Sequence, residues 1–455
     1  MDSYVNNLFF SRKSIFLKML FSSLFLLPSL ASSIELSGNI GTDVEHTSNA
    51  LTAPTNKKED VIQRVGIELS MLEERKNLKA DANISLDHEH YYNDSYEDET
   101  SLTSGFGLFS IDLIENFFNW QATFSRTDVL SDSSQDENPD TREYRNIVRT
   151  GPTISYAMTR TLNMQMAANY VYLDNSGDSA IDSKRADANV RLQYQFNPLT
   201  DLSGSVSYDE VLDSDDGEEI TSTNWSVGLA RRYTGGALNF NVGQQKVSSN
   251  RVISDNSDET DSTYFDIRIT RERFLAHNIS LSYLEEVTDT AIGFESDESG
   301  ATFVDVGSGG AGPVADTSRV NAVSGTDFEN RKRTTFSADR DFTEFTYDLS
   351  ATYQDSEFER AQTTERYRSV VVGLQPKLYT RLVPRIQHSY TREDFSDAAQ
   401  GEDVARSYEL SVRYEAVSSL FLNANARFEK IDNDEDASRE SEEFSLGLGV
   451  NWEFL

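Results

Sequence analysis

The chain has 455 residues, no cysteine, a formal net charge of −35 and only 37% hydrophobic residues. Without cysteine there is no disulfide framework, no thiol chemistry and no lipid on a mature N-terminal cysteine. Beyond the N-terminal region no run approaches the 18 or so consecutive apolar residues of a membrane helix, and the acidic balance argues against nucleic acid as a partner. Neither point excludes a membrane β-barrel, whose strands need apolar residues only at alternate positions.

Residues 1–33 read as a signal peptide. Arg12, Lys13 and Lys18 form the positive region and Met19 to Leu30 the apolar core, which is too short for an anchor. Ser29-Leu30-Ala31 or Ala31-Ser32-Ser33 supplies small residues for cleavage. Residues 34–455 show no shift in composition that would mark a second domain, and strand patterns begin at once, so no plug domain is expected ahead of the barrel.

Alternation starts with Ile34, Leu36, Ile40 and Val44 set against Glu35, Ser37, Asn39 and Asp43. Val65, Ile67, Leu69 and Met71 follow in phase, then Leu78, Ala80, Ala82, Ile84 and Leu86. Only a short turn at 73–77 separates these two runs, whereas a polar, acidic loop at 89–100 separates the second from the next. Short turns recur near 115–116, 157–161, 197–201, 234–236, 272–277, 339–343, 379–381 and 416–419. Long loops recur near 45–60, 131–142, 174–183, 213–219, 248–261, 289–327, 356–365, 394–403 and 432–443.

The last run is the clearest. Phe444, Leu446, Leu448, Val450, Trp452 and Phe454 share one parity, and Ser445, Gly447, Gly449, Asn451 and Glu453 the other. Alternate side chains of a strand point to opposite faces, so one face is apolar and the other small or polar. A barrel-closing strand needs that combination. The count is about twenty strands of roughly 10–15 residues, with eighteen possible and the pairing around 331–340 the least clear. The expected fold is all-β: a closed antiparallel transmembrane barrel with short periplasmic turns and long acidic extracellular loops. Closure follows because an open sheet edge has no hydrogen-bond partners in hydrocarbon.

Aromatic residues gather at strand ends, as two interfacial girdles would require. Tyr156, Tyr194, Phe196, Tyr233, Tyr379, Tyr414 and Trp452 lie toward the short turns. Tyr91, Tyr92, Tyr172, Tyr208, Tyr283, Tyr353 and Tyr390 lie toward the loops.

Parity also sorts the charges. Arg149, Arg185, Arg191, Arg232, Arg268, Arg333, Arg385, Arg413 and Arg427 are in phase with the polar faces, as are Glu68, Asp81, Asp187, Asp266, Asp339, Asp348, Glu409 and Glu429. Eight of these arginines (Arg149, Arg191, Arg232, Arg268, Arg333, Arg385, Arg413 and Arg427) are candidates to line the lumen. They could form a track for an anionic solute, since guanidinium groups pair well with carboxylate and phosphate. Equally, they could pair with carboxylates on neighbouring strands. The acidic loops could hold Ca²⁺ or Mg²⁺ weakly and bridge to lipopolysaccharide, or simply be solvated. Residues 289–327 are the one candidate constriction; deleting them should raise single-channel conductance if they fold into the pore.

Enzyme signals are poor. His46, His88, His90, His277 and His388 are scattered, and His88-Glu89-His90 is too close for a HExxH zinc site. Neither a Gly-x-Ser-x-Gly elbow nor a phosphate-binding glycine loop occurs. No enzyme, metal or cofactor is expected.

At Arg149-Thr-Gly-Pro-Thr-Ile-Ser-Tyr156, then Met158-Thr-Arg-Thr-Leu162 and Tyr170-Val-Tyr172, glycine-proline leads into a strand, a short turn follows, and the next strand ends in tyrosines. In this pattern the chain resembles β-barrel porins of Gram-negative bacteria linked to exopolysaccharide and PEP-CTERM sorting loci. The resemblance implies an outer-membrane barrel serving polysaccharide export, with export components as partners, and carries no catalytic residues. Leu455 after Phe454 departs from the usual aromatic ending, which bears on recognition by the barrel assembly machinery. Two functions stay open: a conduit for anionic or polysaccharide solutes, and a structural or surface-interaction barrel whose acidic loops bind cations or partners.

Overall fold

The computed structural model describes residues 34–51, 57–130, 142–176, 183–214, 218–251, 257–274, 277–289, 328–358, 363–395, 401–434 and 440–454. The expected signal peptide, and the candidate constriction apart from its first residue, lie outside them.

Among the described residues twenty strands follow one another. The first ten are β1 (Glu35–Thr47), β2 (Asp60–Arg75), β3 (Leu78–Tyr91), β4 (Glu99–Ile114), β5 (Phe118–Leu130), β6 (Arg142–Ala157), β7 (Leu162–Asn175), β8 (Ser183–Asn197), β9 (Thr200–Ser214) and β10 (Glu218–Tyr233). The second ten are β11 (Gly236–Arg251), β12 (Ser257–Phe274), β13 (His277–Asp289), β14 (Phe328–Asp341), β15 (Phe345–Phe358), β16 (Thr363–Pro376), β17 (Leu382–Phe395), β18 (Glu402–Val417), β19 (Leu420–Asn433) and β20 (Ser441–Phe454).

Each strand pairs antiparallel with its sequence neighbours, and β1 pairs with β20 from Gly38 opposite Phe454 to Thr47 opposite Ser445. The sheet therefore closes on itself and leaves no edge. The short turns fall where alternation pauses, for example between Arg75 and Leu78 and between Val417 and Leu420. The stretch around 331–340, unclear from sequence, is β14 paired along its length with β15.

Strands run from 13 to 18 residues, longer than the alternation alone suggests. The stretch 248–261, expected as a loop, is mostly ladder: β11 continues to Arg251 and β12 begins at Ser257. A transmembrane strand needs only about 9–11 residues to cross. Beyond the hydrocarbon the ladder continues in water, where neither face has to be apolar, so periodicity underestimates its length.

Register gives every paired residue the face of its partner. Leu446, Leu448, Val450 and Trp452 of β20 pair with Ala426, Ala424, Leu422 and Leu420 of β19 on the outer surface. Leu448 is 64% exposed and Val206, Trp225, Val227 and Leu410 are exposed as well. So many large exposed apolar side chains on one continuous surface require hydrocarbon as solvent. At that surface the Phe454 ring lies over Gly38, in the space a side chain there would fill.

Of the loop-end aromatics, Tyr92, Tyr172, Tyr208 and Tyr353 stand exposed on the outside. Tyr91 does not. It pairs with Ile62 on the inner face, is 4% exposed, and donates its hydroxyl to Glu89 at 2.8 Å. Adjacent tyrosines on one strand must face opposite ways, so only one of Tyr91 and Tyr92 can join the girdle.

One element leaves the wall. β12 and β13 pair only up to Phe265 opposite Glu285. Above that point Ser257 to Tyr264 of β12 pair with β11, and the top of β13 pairs with β14. Val287 is buried in one cluster with Val211, Ile220 and Val247, which lie on the inner faces of β9, β10 and β11. Its N–H donates to the Gln245 side-chain oxygen at 3.2 Å. The β13–β14 stem thus bends inward and lies against the lumenal wall at the loop end.

Candidate functional site: the lumenal wall

The site is the inner face of the barrel. Register places all eight candidate arginines there, most of them opposite polar or small residues, such as Arg149 opposite Thr123 and Arg427 opposite Glu409. Most of them are held by neighbours. Arg149 donates to Asp187 at 2.7 Å, Arg385 to Asp348 at 3.2 Å, Arg413 to Glu453 at 3.2 Å and Arg427 to Glu429 at 2.8 Å. Arg333 donates to the Gln354 side-chain oxygen Oε1 at 2.8 Å, and Arg232 stands 3.9 Å from Asp201. Arg413 also lies 3.8 Å over the Phe421 ring. Cross-strand pairing thus accounts for much of the arginine pattern.

Arg191 and Arg268 differ. Among the described residues neither has a hydrogen-bond or ion-pair partner, and both border the same hollow of about 230 Å³. Ser203, Leu229, Ala230, Asn239, Asn241 and Asp266 complete it. Asp266 is already engaged, accepting from Asn241 Nδ2 at 3.0 Å.

Charge is spread unevenly around the ring. On the inner faces of β1 to β3 stand Asp43, Glu45, Glu68, Asp87 and Glu89, and on β19 and β20 Glu429, Glu443 and Glu453. Arg64 gathers part of this acid wall, contacting Glu89 at 3.0 Å, Asp43 at 3.4 Å and Glu45. Glu68 accepts from Asn39 at 2.6 Å and Asn83 at 2.7 Å, which ties β1, β2 and β3 together. In a ring of twenty strands β10 faces β20. Arg149, Arg185, Arg191, Arg232 and Arg268 of β6 to β12 therefore look across the lumen at the acid wall. The same arc also carries Asp187, Asp201 and Asp266, so it is a mixed wall facing one in which acid predominates.

Arg64 and Arg331 are lumenal residues that the sequence reading did not single out. Arg64 was findable, lying in phase with Glu68. Arg331 is in phase with Arg333, but its burial to 1% exposure beside Glu286 depends on the inward stem, which alternation does not encode.

The histidines are engaged outside the lumen: His88 Nδ1 lies 2.9 Å from Thr100 Oγ1 and His90 Nδ1 2.8 Å from Asp98. Among the described residues no three His, Cys, Asp or Glu side chains form a metal-ligand group.

No family model and no curated protein matches the chain. Solved structures do. The FrpB iron transporter from Neisseria meningitidis (F5-1 variant) is 8% identical with a TM-score of 0.50, over 93% of this chain and 83% of that one. The outer membrane protein OpdK from Pseudomonas aeruginosa is 9% identical with a TM-score of 0.40, over 92% and 98%. At such identities the likeness concerns the fold alone. The closed ring, its apolar exterior and this shared architecture make the chain an outer-membrane β-barrel.

Proposed function

We propose that this barrel is a porin-like channel passing small hydrophilic solutes that carry a negative charge. The observation that carries this reading is the arginine arc of β6 to β12, in which Arg191 and Arg268 are not engaged by carboxylates of the wall. Barrels of 16–18 strands enclose an aqueous channel, and a twenty-stranded ring is wider. A guanidinium facing water exchanges hydration for a solute oxyanion at small cost, and further arginines along the arc offer the next contact.

The resemblance to exopolysaccharide-linked porins extends the solute class to acidic polysaccharide, whose spaced carboxylates suit successive arginines. Export components would then be partners, alongside lipopolysaccharide outside and the assembly machinery during insertion. The barrel's own residues do the work, with no cofactor; divalent cations at acidic loops would be peripheral to it.

Planar-bilayer recording of the purified barrel tests the proposal. The expected result is steady stepwise conductance, reduced asymmetrically when glucuronate is added to one side. A folded barrel giving no steps would favour the surface-interaction alternative.

A further inference from the structure

We propose that the hollow between β8 and β12 is a binding subsite for a small monoanionic hydroxy acid, of the kind a sugar acid represents. The inference rests on the lumen being water-filled, as the channel reading requires.

The hollow exists because the wall is thin there. Ser203, Gly228 and Ala230 stand in register on the inner faces of β9 and β10 and add little bulk. Across Gly228 the side chains of Asn241 and Ser203 lean into the space its missing Cβ leaves. Arg191 of β8 on one flank and Arg268 of β12 on the other border this floor. At about 230 Å³ the hollow is smaller than the 300–1,000 Å³ of drug-sized sites. Its occupant is therefore a single small molecule.

The charges choose the anion. Arg191 and Arg268 contribute two positive charges and Asp266 one negative, so the hollow carries a net single positive charge. A carboxylate neutralises it. A phosphate dianion would leave excess negative charge facing Asp266. The remaining polar groups choose the rest of the ligand. The side chain of Asn239, opposite Arg268 in the ladder, has no hydrogen-bond partner among the described residues. Its amide offers both donor and acceptor, as the Ser203 hydroxyl does, which suits hydroxyl groups beside a carboxylate. A guanidinium–carboxylate pair is among the stronger hydrogen-bonded contacts because both partners are ionised. The same two arginines, with no carboxylate of their own, lose no native ion pair when the ligand arrives.

The test is isothermal titration of the full chain, purified as a folded barrel in detergent, with glucuronate, glucose and inorganic phosphate. Saturable glucuronate binding is expected, with none for glucose and weaker binding of phosphate. Arg191→Gln and Arg268→Gln should each weaken glucuronate about tenfold to a hundredfold, the range for losing a charged hydrogen bond. Arg191→Lys, keeping charge without the fork, should fall between parent and Arg191→Gln. Heat-modifiable mobility on a gel verifies that each variant is folded. Absent glucuronate binding in the folded parent, undiminished binding in the double glutamine variant, or phosphate binding as tight as glucuronate would each overturn the assignment. Conductance on the same preparation separates the two claims: binding without current defeats the channel and keeps the subsite, and current without binding does the reverse.

Discussion

Replacing Val287 should detach the β13–β14 stem from the lumenal wall. Val287, Val211, Ile220 and Val247 are each at most 2% exposed, and they are the apolar part of the contact. Val287→Ala removes two methyl-sized groups at about 0.8 kcal/mol each. The cavity left behind raises the loss to roughly 2–3 kcal/mol. At about 1.4 kcal/mol per tenfold, a loss of about 2 kcal/mol shifts the docked-to-undocked ratio some 30-fold. Val287→Asp places a carboxylate among aliphatic side chains and should abolish docking. Because the chain has no cysteine, a single Ile220→Cys reports on the contact without interference. Its maleimide labelling should be slow in the parent, at least about tenfold faster with Val287→Ala, and fastest with Val287→Asp, while the barrel keeps its heat-modifiable mobility. Equal labelling rates in all three backgrounds would refute the inward stem.

Arg64→Gln leaves Asp43, Glu45 and Glu89 crowded with no cation between them, on a side chain one-third exposed. The barrel should lose roughly 1–3 kcal/mol, seen as a lower temperature for the gel-mobility shift; an unchanged transition would mean that the Arg64 contacts add nothing to stability. Gly243→Ala should cut refolding yield sharply, because its Cβ would run into the Trp225 carbonyl oxygen, whereas Gly107→Ala meets nothing closer than the Phe124 Cβ at 3.8 Å and should refold normally. The carboxylate of Asp60 accepts from the N–H groups of Val61, Asn93 and Ser95 and the Ser95 hydroxyl, at 2.6, 2.8, 3.1 and 2.5 Å. Asp60→Ala should therefore open the 92–98 loop to protease by roughly 2–3 kcal/mol of local stability, with the rest of the barrel intact; an equally resistant loop would count against this anchor. In the same loop the His90 ring, with the Tyr91 N–H, holds the Asp98 carboxyl below the usual carboxylate range. A lowered value means the contribution is complete above the ordinary value of about 4 and disappears as pH falls through the lowered one. Loop cleavage by an acid-active protease should thus rise only below about pH 4, and Asp98→Asn should weaken that pH dependence, leaving the part carried by the Asp60 carboxylate.

The architecture was open to a reader of the sequence because a membrane barrel repeats one simple constraint. Lipid demands an apolar residue at every second position, and short turns alternate with long loops at the two ends of such a barrel, so Val206 and Leu448 disclose their face without any neighbour being known. The same parity brings Arg149, Arg191 and Arg268 to the inner wall. What parity leaves out is contact between strands that are not neighbours. Val287 sits at an outward position of its own strand and is buried on the inward side of another, because the strand bends. Which arginines are satisfied also depends on register: Arg149 meets Asp187 across two strand boundaries, whereas Arg191 meets no carboxylate among the described residues. Tyr91 and Tyr92 look equivalent in the sequence and face opposite media.

One face of each strand touches hydrocarbon and the other touches water, and labels placed along β20 read that difference out. Single cysteines placed in turn at Ser445, Leu446, Gly447, Leu448, Gly449, Val450 and Asn451 would carry a nitroxide label in lipid vesicles. Oxygen should relax the labels at Leu446, Leu448 and Val450, while a water-soluble paramagnetic agent should reach those at Gly449 and Asn451. Uniform access along the strand, or the opposite parity, would contradict the barrel and the lumenal site together.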